Sequence, residues 1–430
     1  MPLGENLSFL NPQFISKENR FRRIDITDIP ILVTDRGEIV CIPKSEETFA
    51  MAIVGGSGTG KSLVLNRLAT SLRFGWDVNV SIMNDVSEET YLWSMPMTHL
   101  EFNEFNKFHL NQEPSPAPIF YLYPNTNTVS LPRMAIKARN RLRITIPFAE
   151  IIDNLNFYLK GVIHDFDLAK SELYINDIKE ELANCQTPSE IKDVLNEKLP
   201  GKDGKSFAGM RIKLMAAFNS LFKEEILDIT NPQYPSKLRL VEDNLVTDPF
   251  SVLMGAGQIP SLITSDLQNK NYKSEMMAYY VDSIFRNNLK NFGGKKTFLL
   301  FDELRAICER DDDVAARSIG SVAARGRINQ VGLVYCTQYY DKIPNAVKGA
   351  RLNYCVCFRH SNSEVVGELA RDFSIGKKTK EAIMNLKLFE AIIMTNQKLV
   401  VYDMDDGSKS FEDKPFKGKI FFPVANHRKP

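Results

Sequence analysis

The stretch Thr48–Thr70, TFAMAIVGGSGTGKSLVLNRLAT, constrains this chain more than any other. Phe49 to Val54 is an apolar run of the kind that forms a buried strand. A turn with four glycines in six positions follows: Gly55, Gly56, Ser57, Gly58, Thr59 and Gly60. Lys61 and Ser62 then open a segment in which Leu63, Leu65 and Leu68 continue a helical pattern. Glycines let the backbone curl so that successive N–H groups point into one concavity, a ready seat for an anion. The helix beginning at Lys61 aims the positive end of its dipole at the same place. Gly55, Gly60, Lys61 and Ser62 also fit the spacing G-x-x-x-x-G-K-[ST]. In that motif the lysine reaches the β- and γ-phosphates and the hydroxyl binds Mg²⁺. A chance match is expected in about one chain in a hundred of this length, and the flanking strand and helix lower that further. The expectation is ATP, with Mg²⁺, bound by residues 55–62.

Phosphate binding needs a second half before it becomes chemistry, and Thr297-Phe298-Leu299-Leu300-Phe301 supplies it. Five apolar residues read as a strand buried on both faces, and Asp302 and Glu303 follow at its tip. A carboxylate there can hold Mg²⁺ and its waters, so Asp302 joins Ser62 as a metal ligand. Glu303 can take a proton from an attacking water. The same pair also fits an acidic helix cap. Gln330–Gln338, QVGLVYCTQ, is a further buried strand, and the Gln338 amide at its end could meet the γ-phosphate or the attacking water. Between them lie Arg325 and Arg327. Either could reach a neighbouring subunit's nucleotide as a catalytic guanidinium, or simply complete a helix dipole.

Strands alternating with helices predict an α/β fold with a mainly parallel sheet. The 430 residues allow two or three domains, or one core with a large insertion. The pattern divides into an arm at 1–28, a core at 29–91 and 251–405, a mainly helical insertion at 92–250 and a tail at 406–430. Ile29–Pro43 reads as a hairpin, Asp77–Met83 as the second core strand and 363–387 as helical. EAIIMTN and KLVVYDM read as another hairpin. Within the insertion, Arg133, Lys137, Arg139, Arg141 and Arg143 form the densest cationic segment, with Lys17, Arg20, Arg22 and Arg23 second. Such runs also suit a solvated face.

Composition bounds the class. Hydrophobic residues make up 43% and charged residues 25%, as in globular proteins. No apolar run reaches the roughly 18 residues that would span a bilayer, and the first residues lack a signal peptide's basic and apolar regions. A cytoplasmic protein is expected. Six cysteines without close-set pairs suggest reduced thiols, and Cys355 and Cys357 read as strand packing. A net charge of +1 excludes a global basic field, so any nucleic-acid contact rests on local clusters or on a ring concentrating a few cations.

Together, strand-GGSGTGKS-helix, strand-Asp302-Glu303, the arginine-bearing helix before GLVYCTQ, and IPNAVKGARLNYCVCFR resemble the HerA/FtsK superfamily of hexameric DNA-pumping ATPases. Asp85, Glu89 and Tyr91 resemble the acidic motif after that family's second strand. The resemblance covers roughly 29–100 and 250–405. It implies a RecA-like P-loop NTPase core with the insertion, a homo-oligomeric ring of six, Gln338 as γ-phosphate sensor, and Arg327 (or Arg325) acting in trans. The N-terminal β-barrel of HerA repair proteins and the transmembrane anchor of coupling proteins are both missing from the pattern. A double-stranded DNA translocase that packages or transfers a viral or mobile-element genome is the expected function. A capsid portal or a membrane complex is the expected partner. A secretion or conjugation coupling ATPase moving protein or nucleoprotein stays open, as does a nucleotide-gated assembly protein without motor activity.

Six subunits offering one or two cations each would surround a duplex with about 6–12 positive charges. Replacing Arg139, Arg141 and Arg143 by Ala should therefore flatten the salt dependence of DNA binding. It should also reduce DNA-stimulated ATPase while sparing basal turnover. A triple variant with wild-type slope and stimulation would make this segment a solvated face.

Overall fold

The computed structural model describes residues 27–45, 48–84, 92–124, 256–264, 270–288, 295–311, 313–348 and 352–426, with isolated shorter pieces from 141 to 254 and at 267. Its centre is a run of eight parallel strands: β1 (Ala50–Val54), β2 (Asn79–Asn84), β3 (Ile119–Pro124), β4 (Arg141–Ile144), β5 (Ile259–Ile263), β6 (Thr297–Asp302), β7 (Val331–Thr337) and β8 (Tyr354–Phe358). They lie in the order β4-β3-β5-β2-β6-β7-β1-β8.

Why these strands read as unbroken apolar runs is visible in the two large cores. Alternate side chains point to opposite faces of a strand. Ala52 and Val54 enter one core, while Met51 and Ile53 enter the other. Leu299 and Phe301 likewise separate from Phe298 and Leu300. The glycine-loop helix α1 (Lys61–Thr70) contributes Leu63, Leu65 and Leu68 to one core. Helices α2 (Lys270–Asn288), α3 (Val314–Arg325) and α4 (Ser363–Asp372) contribute to the other. A sheet covered on both faces has no need of outward polar residues, so period-two alternation is lost. All six cysteines are free and buried, and Cys355 and Cys357 pack into one core from β8.

The mainly parallel sheet expected from the sequence holds only for these eight strands. Among the described residues the sheet has 16 strands, and every pairing in it outside the central run is antiparallel. The Ile29–Thr34 and Ile39–Ile42 hairpin forms as expected, with Gly37 at φ 86° in its turn. The hairpin expected of EAIIMTN and KLVVYDM does not. Glu390–Thr395 pairs with β8 and with Phe416–Ile420. Leu399–Tyr402 instead pairs with Ile39–Ile42 and Lys409–Glu412. The N-terminal hairpin and Phe416–Ile420 lie between the two segments in the sheet and take up their facing backbone edges. Residues 363–387 divide into α4 and Lys377–Met384, with Ser374 at φ 52° between them. No helix among the described residues is long and apolar enough to cross a membrane.

Glu275 on α2 is 1% exposed, and neither carboxylate oxygen meets a hydrogen-bond partner among the described residues. Burial pushes its carboxyl up to about 8, so the folded chain keeps a proton that the unfolded chain releases. Its contribution to stability is intact below the ordinary value of 4.5 and is lost as pH rises through about 8. Glu275→Gln should therefore raise the melting temperature by a few degrees at pH 8 and hardly at all at pH 4.5. An equal shift at both pH values in thermal melts would contradict a protonated, solvent-free Glu275.

Candidate active site

Parallel strands deliver their C-terminal ends to one edge, and ligands of open α/β sheets bind there. In this chain β6, β7, β1 and β8 are consecutive neighbours, and their ends carry Asp302, Gln338, the glycine turn and Arg359. The register is tight: Thr337 pairs with Val54, and Cys357 pairs with the same Val54 from the other side. Residues far apart in sequence thus reach one place without any loop having to be ordered for the purpose.

The glycine turn leaves Val54 and curls as the motif requires. Gly58 and Gly60 have φ of 71° and 118°, conformations that side chains resist. Gly55 meets a different demand, because a Cβ there would lie 2.7 Å from Phe358 Cβ on β8. Gly55 N–H donates to Thr337 O at 3.3 Å, Gly56 N–H to Arg359 O at 3.3 Å, and Thr59 Oγ1 to Gly56 O at 2.8 Å. Lys61 is buried, and its ammonium donates to Gly55 O at 3.0 Å and Gly56 O at 2.9 Å. Ser57 and Gly58 stay exposed at the tip of the turn.

Ser62 Oγ lies 3.5 Å from Asp302 Oδ1, across 240 positions of sequence. A hydroxyl and a carboxylate at that spacing suit the Mg²⁺ of a bound nucleotide. With a buried lysine and a glycine turn of positive φ beside them, the residues present fit Mg²⁺ and ATP. Glu303 stands just beyond Asp302 with φ 58° and ψ 67°, a left-handed conformation that costs a non-glycine residue about 1–3 kcal/mol. Its Oε1 accepts from the Gln338 N–H at 3.4 Å. Burial, reinforced by Asp302, pushes the Cys336 thiol well above its usual range.

Two residues absent from the sequence reading also meet here. His360 is 9% exposed, and its Nε2 lies 2.8 Å from Gln338 O. Its Nδ1 accepts from the Asn362 N–H at 3.2 Å. A lone histidine after a strand has no spacing that marks it, so only the fold could reveal it.

Arg325 and Arg327 are not brought to this edge. Arg325 ends α3 and Arg327 lies in the turn before β7, so both sit where the parallel strands begin. A strand of seven residues separates the two edges by about 23 Å. Both arginines are exposed, as is Ile328 beside them at 84%. Asp85, Glu89, Tyr91, Arg133, Lys137, Arg139 and the Lys17–Arg23 cluster lie outside the described residues. Arg141 and Arg143 lie on β4.

No family model and no curated protein matches the chain. Solved structures do. VirB4 of Thermoanaerobacter pseudethanolicus superposes with a TM-score of 0.54 at 13% identity, covering 93% of this chain and 98% of that one. The bacterial conjugative coupling protein TrwBdeltaN70, in an unbound form, gives 0.55 at 13% identity over 93% and 90%. TrwB with the non-hydrolysable analogue ADPNP gives 0.50 at 13% identity over 96% and 98%. The chain has the fold of these solved structures. The likeness spans nine-tenths or more of each chain in these comparisons.

The sequence expectation gives phosphate binding to Lys61 and water activation to Glu303, and these roles should fail separately. Lys61→Ala should abolish binding of a fluorescent ATP analogue. Glu303→Gln should bind it as the wild type does and lose hydrolysis by a factor of about 10²–10⁴. Equal loss of binding in both variants would undo this division of roles.

Proposed function

We propose that this chain is an ATPase that moves double-stranded DNA, working as a homo-oligomeric ring of six to transfer or package a genome. The observation that carries the ATPase part is the convergence of Lys61, Ser62, Asp302, Glu303 and Gln338 at one sheet edge. The backbone N–H groups of 57–60 and the Lys61 ammonium bind the triphosphate, while those of Gly55 and Gly56 tie the turn to β7 and to the end of β8. Ser62 and Asp302 hold Mg²⁺, which when bound neutralises charge on the β- and γ-oxygens. Glu303 accepts the proton of the attacking water, and the Gln338 amide orients that water against the γ-phosphate. Arg327, or Arg325, stabilises phosphoryl charge from a neighbouring copy, since within its own chain it lies at the far edge. The division into an arm at 1–28, a core at 29–91 and 251–405, an insertion at 92–250 and a tail at 406–430 belongs to the same reading. The insertion's cations are then the candidates for the DNA path.

A second reading has a specific observation in its favour. The likeness to a conjugative coupling protein and to VirB4 extends along more than nine-tenths of this chain. That supports an ATPase of a DNA-transfer or secretion complex, whose cargo is nucleoprotein or protein. ATP hydrolysis measured with double-stranded DNA, single-stranded DNA and no DNA separates the two. A DNA motor should be stimulated several-fold by the duplex, with the stimulation fading as salt rises. Turnover indifferent to both nucleic acids would reject the DNA motor and leave the secretion reading.

A further inference from the structure

The segment Arg359–Asn362 leaves the tip of β8 and meets the phosphate loop, Gln338 and the start of α4. Arg359 O accepts from the Gly56 N–H of the phosphate loop at 3.3 Å. One residue on, the His360 ring reaches Gln338. The Asn362 N–H donates to His360 Nδ1, so that nitrogen carries the lone pair and the ring proton resides on Nε2. Nε2–H therefore donates to Gln338 O. Asn362 in turn accepts from the Glu364 N–H through its Oδ1 at 2.8 Å, capping α4.

The peptide around Gln338 is thus held from two sides. Its N–H is given to the Glu303 carboxylate and its C=O receives the imidazole proton. The ring is nearly free of solvent, so water cannot readily replace the bond if the histidine is lost. Gln338 has just left the sheet, where the β7 ladder no longer fixes its backbone. These two contacts hold its peptide beyond the end of the ladder, beside the Tyr339 N–H bond to Thr337 Oγ1. The helix at the far end of the segment is itself anchored: Tyr340 Oη donates to Asp372 Oδ2 at 2.5 Å, and Lys348 pairs with Glu368 at 2.8 Å.

We propose that His360 is a positioning residue for hydrolysis, fixing Gln338 through its main-chain oxygen and tying the phosphate loop and α4 to the same strut. The proposal rests on Gln338 as the group that faces the attacking water and the γ-phosphate. In this proposal His360 acts through the Gln338 peptide, which its Nε2 meets. Its effect should be on turnover and not on nucleotide affinity.

Full-length His360→Ala, His360→Gln, His360→Asn and Gln338→Ala are compared for kcat, KM, affinity for a fluorescent ATP analogue, and melting temperature. A misplaced orienting group should cost about ten- to a hundredfold in turnover. His360→Ala should show that loss in kcat with affinity for the analogue kept within about twofold. His360→Gln places an amide N–H where Nε2–H stood and should recover most of the rate. His360→Asn places its amide near the Nδ1 position and should not. A folded His360→Ala with wild-type kcat, beside an impaired Gln338→Ala, would overturn the proposal alone. Equal losses of kcat, affinity and melting temperature in all three His360 variants would also overturn it, leaving a merely structural histidine. Wild-type turnover in Gln338→Ala would overturn the reading of Gln338 itself, and the role of His360 with it.

Discussion

The hydrogen-bond register of five neighbouring parallel strands is the constraint on which the rest depends. β2, β6, β7, β1 and β8 run side by side, so their C-terminal ends must emerge along one edge. Asp302 pairs with Asn84, Thr337 with Val54 and Cys357 with Val54. A slip of one residue in any of these pairings would turn the strand's side chains to the wrong core. It would also move a site residue by about 3.3 Å. Packing and chemistry are therefore enforced by the same ladder. Both faces of the strands are buried, so the register cannot slip without exposing one core and crowding the other.

On that platform the local departures from regular structure become intelligible. Gly58 and Gly60 take positive φ, a conformation that a residue without a Cβ adopts freely. Gly55 lacks a side chain because β8 lies against it. Glu303 has no such excuse, yet it too is left-handed. Its strain is balanced by what surrounds it: Asp302 fixed in the ladder before it, the buried Leu304 after it, and the Gln338 N–H on its carboxylate. A carboxylate held this way would be pre-placed for the proton transfer proposed for it, at a cost in stability.

Much of this was legible in the sequence, for a physical reason. Strand, glycine turn and helix are local features, and a strand buried on both faces leaves an unbroken apolar run, as in Thr297–Asp302 and Val331–Thr337. What stayed hidden was non-local or period-two. Phe416–Ile420 alternates buried and exposed positions, with Lys417 and Lys419 at the alternate places, so it passes for a basic tail. Its partner Ile29–Thr34 lies at the other end of the chain, and no local pattern announces that pairing. For the same reason the two strands after α4 looked like one hairpin. His360 escaped notice because a single imidazole carries no spacing, and its importance comes only from the peptide it meets in space.

The two edges of the sheet divide the labour of the proposed motor. One carries the phosphate loop, Asp302, Glu303 and Gln338. The other carries Arg325 and Arg327, about 23 Å away along β7, beside an exposed Ile328. A guanidinium there can serve a nucleotide only in another copy of the chain, so a complete site would be shared between subunits. Mixing Arg327→Ala with Lys61→Ala tests this most directly. Each is expected to be inactive alone. In mixed rings some interfaces join the intact loop of one variant to the intact arginine of the other, and ATPase activity should partly return. No recovery in rings shown to contain both variants would contradict a site completed in trans by Arg327.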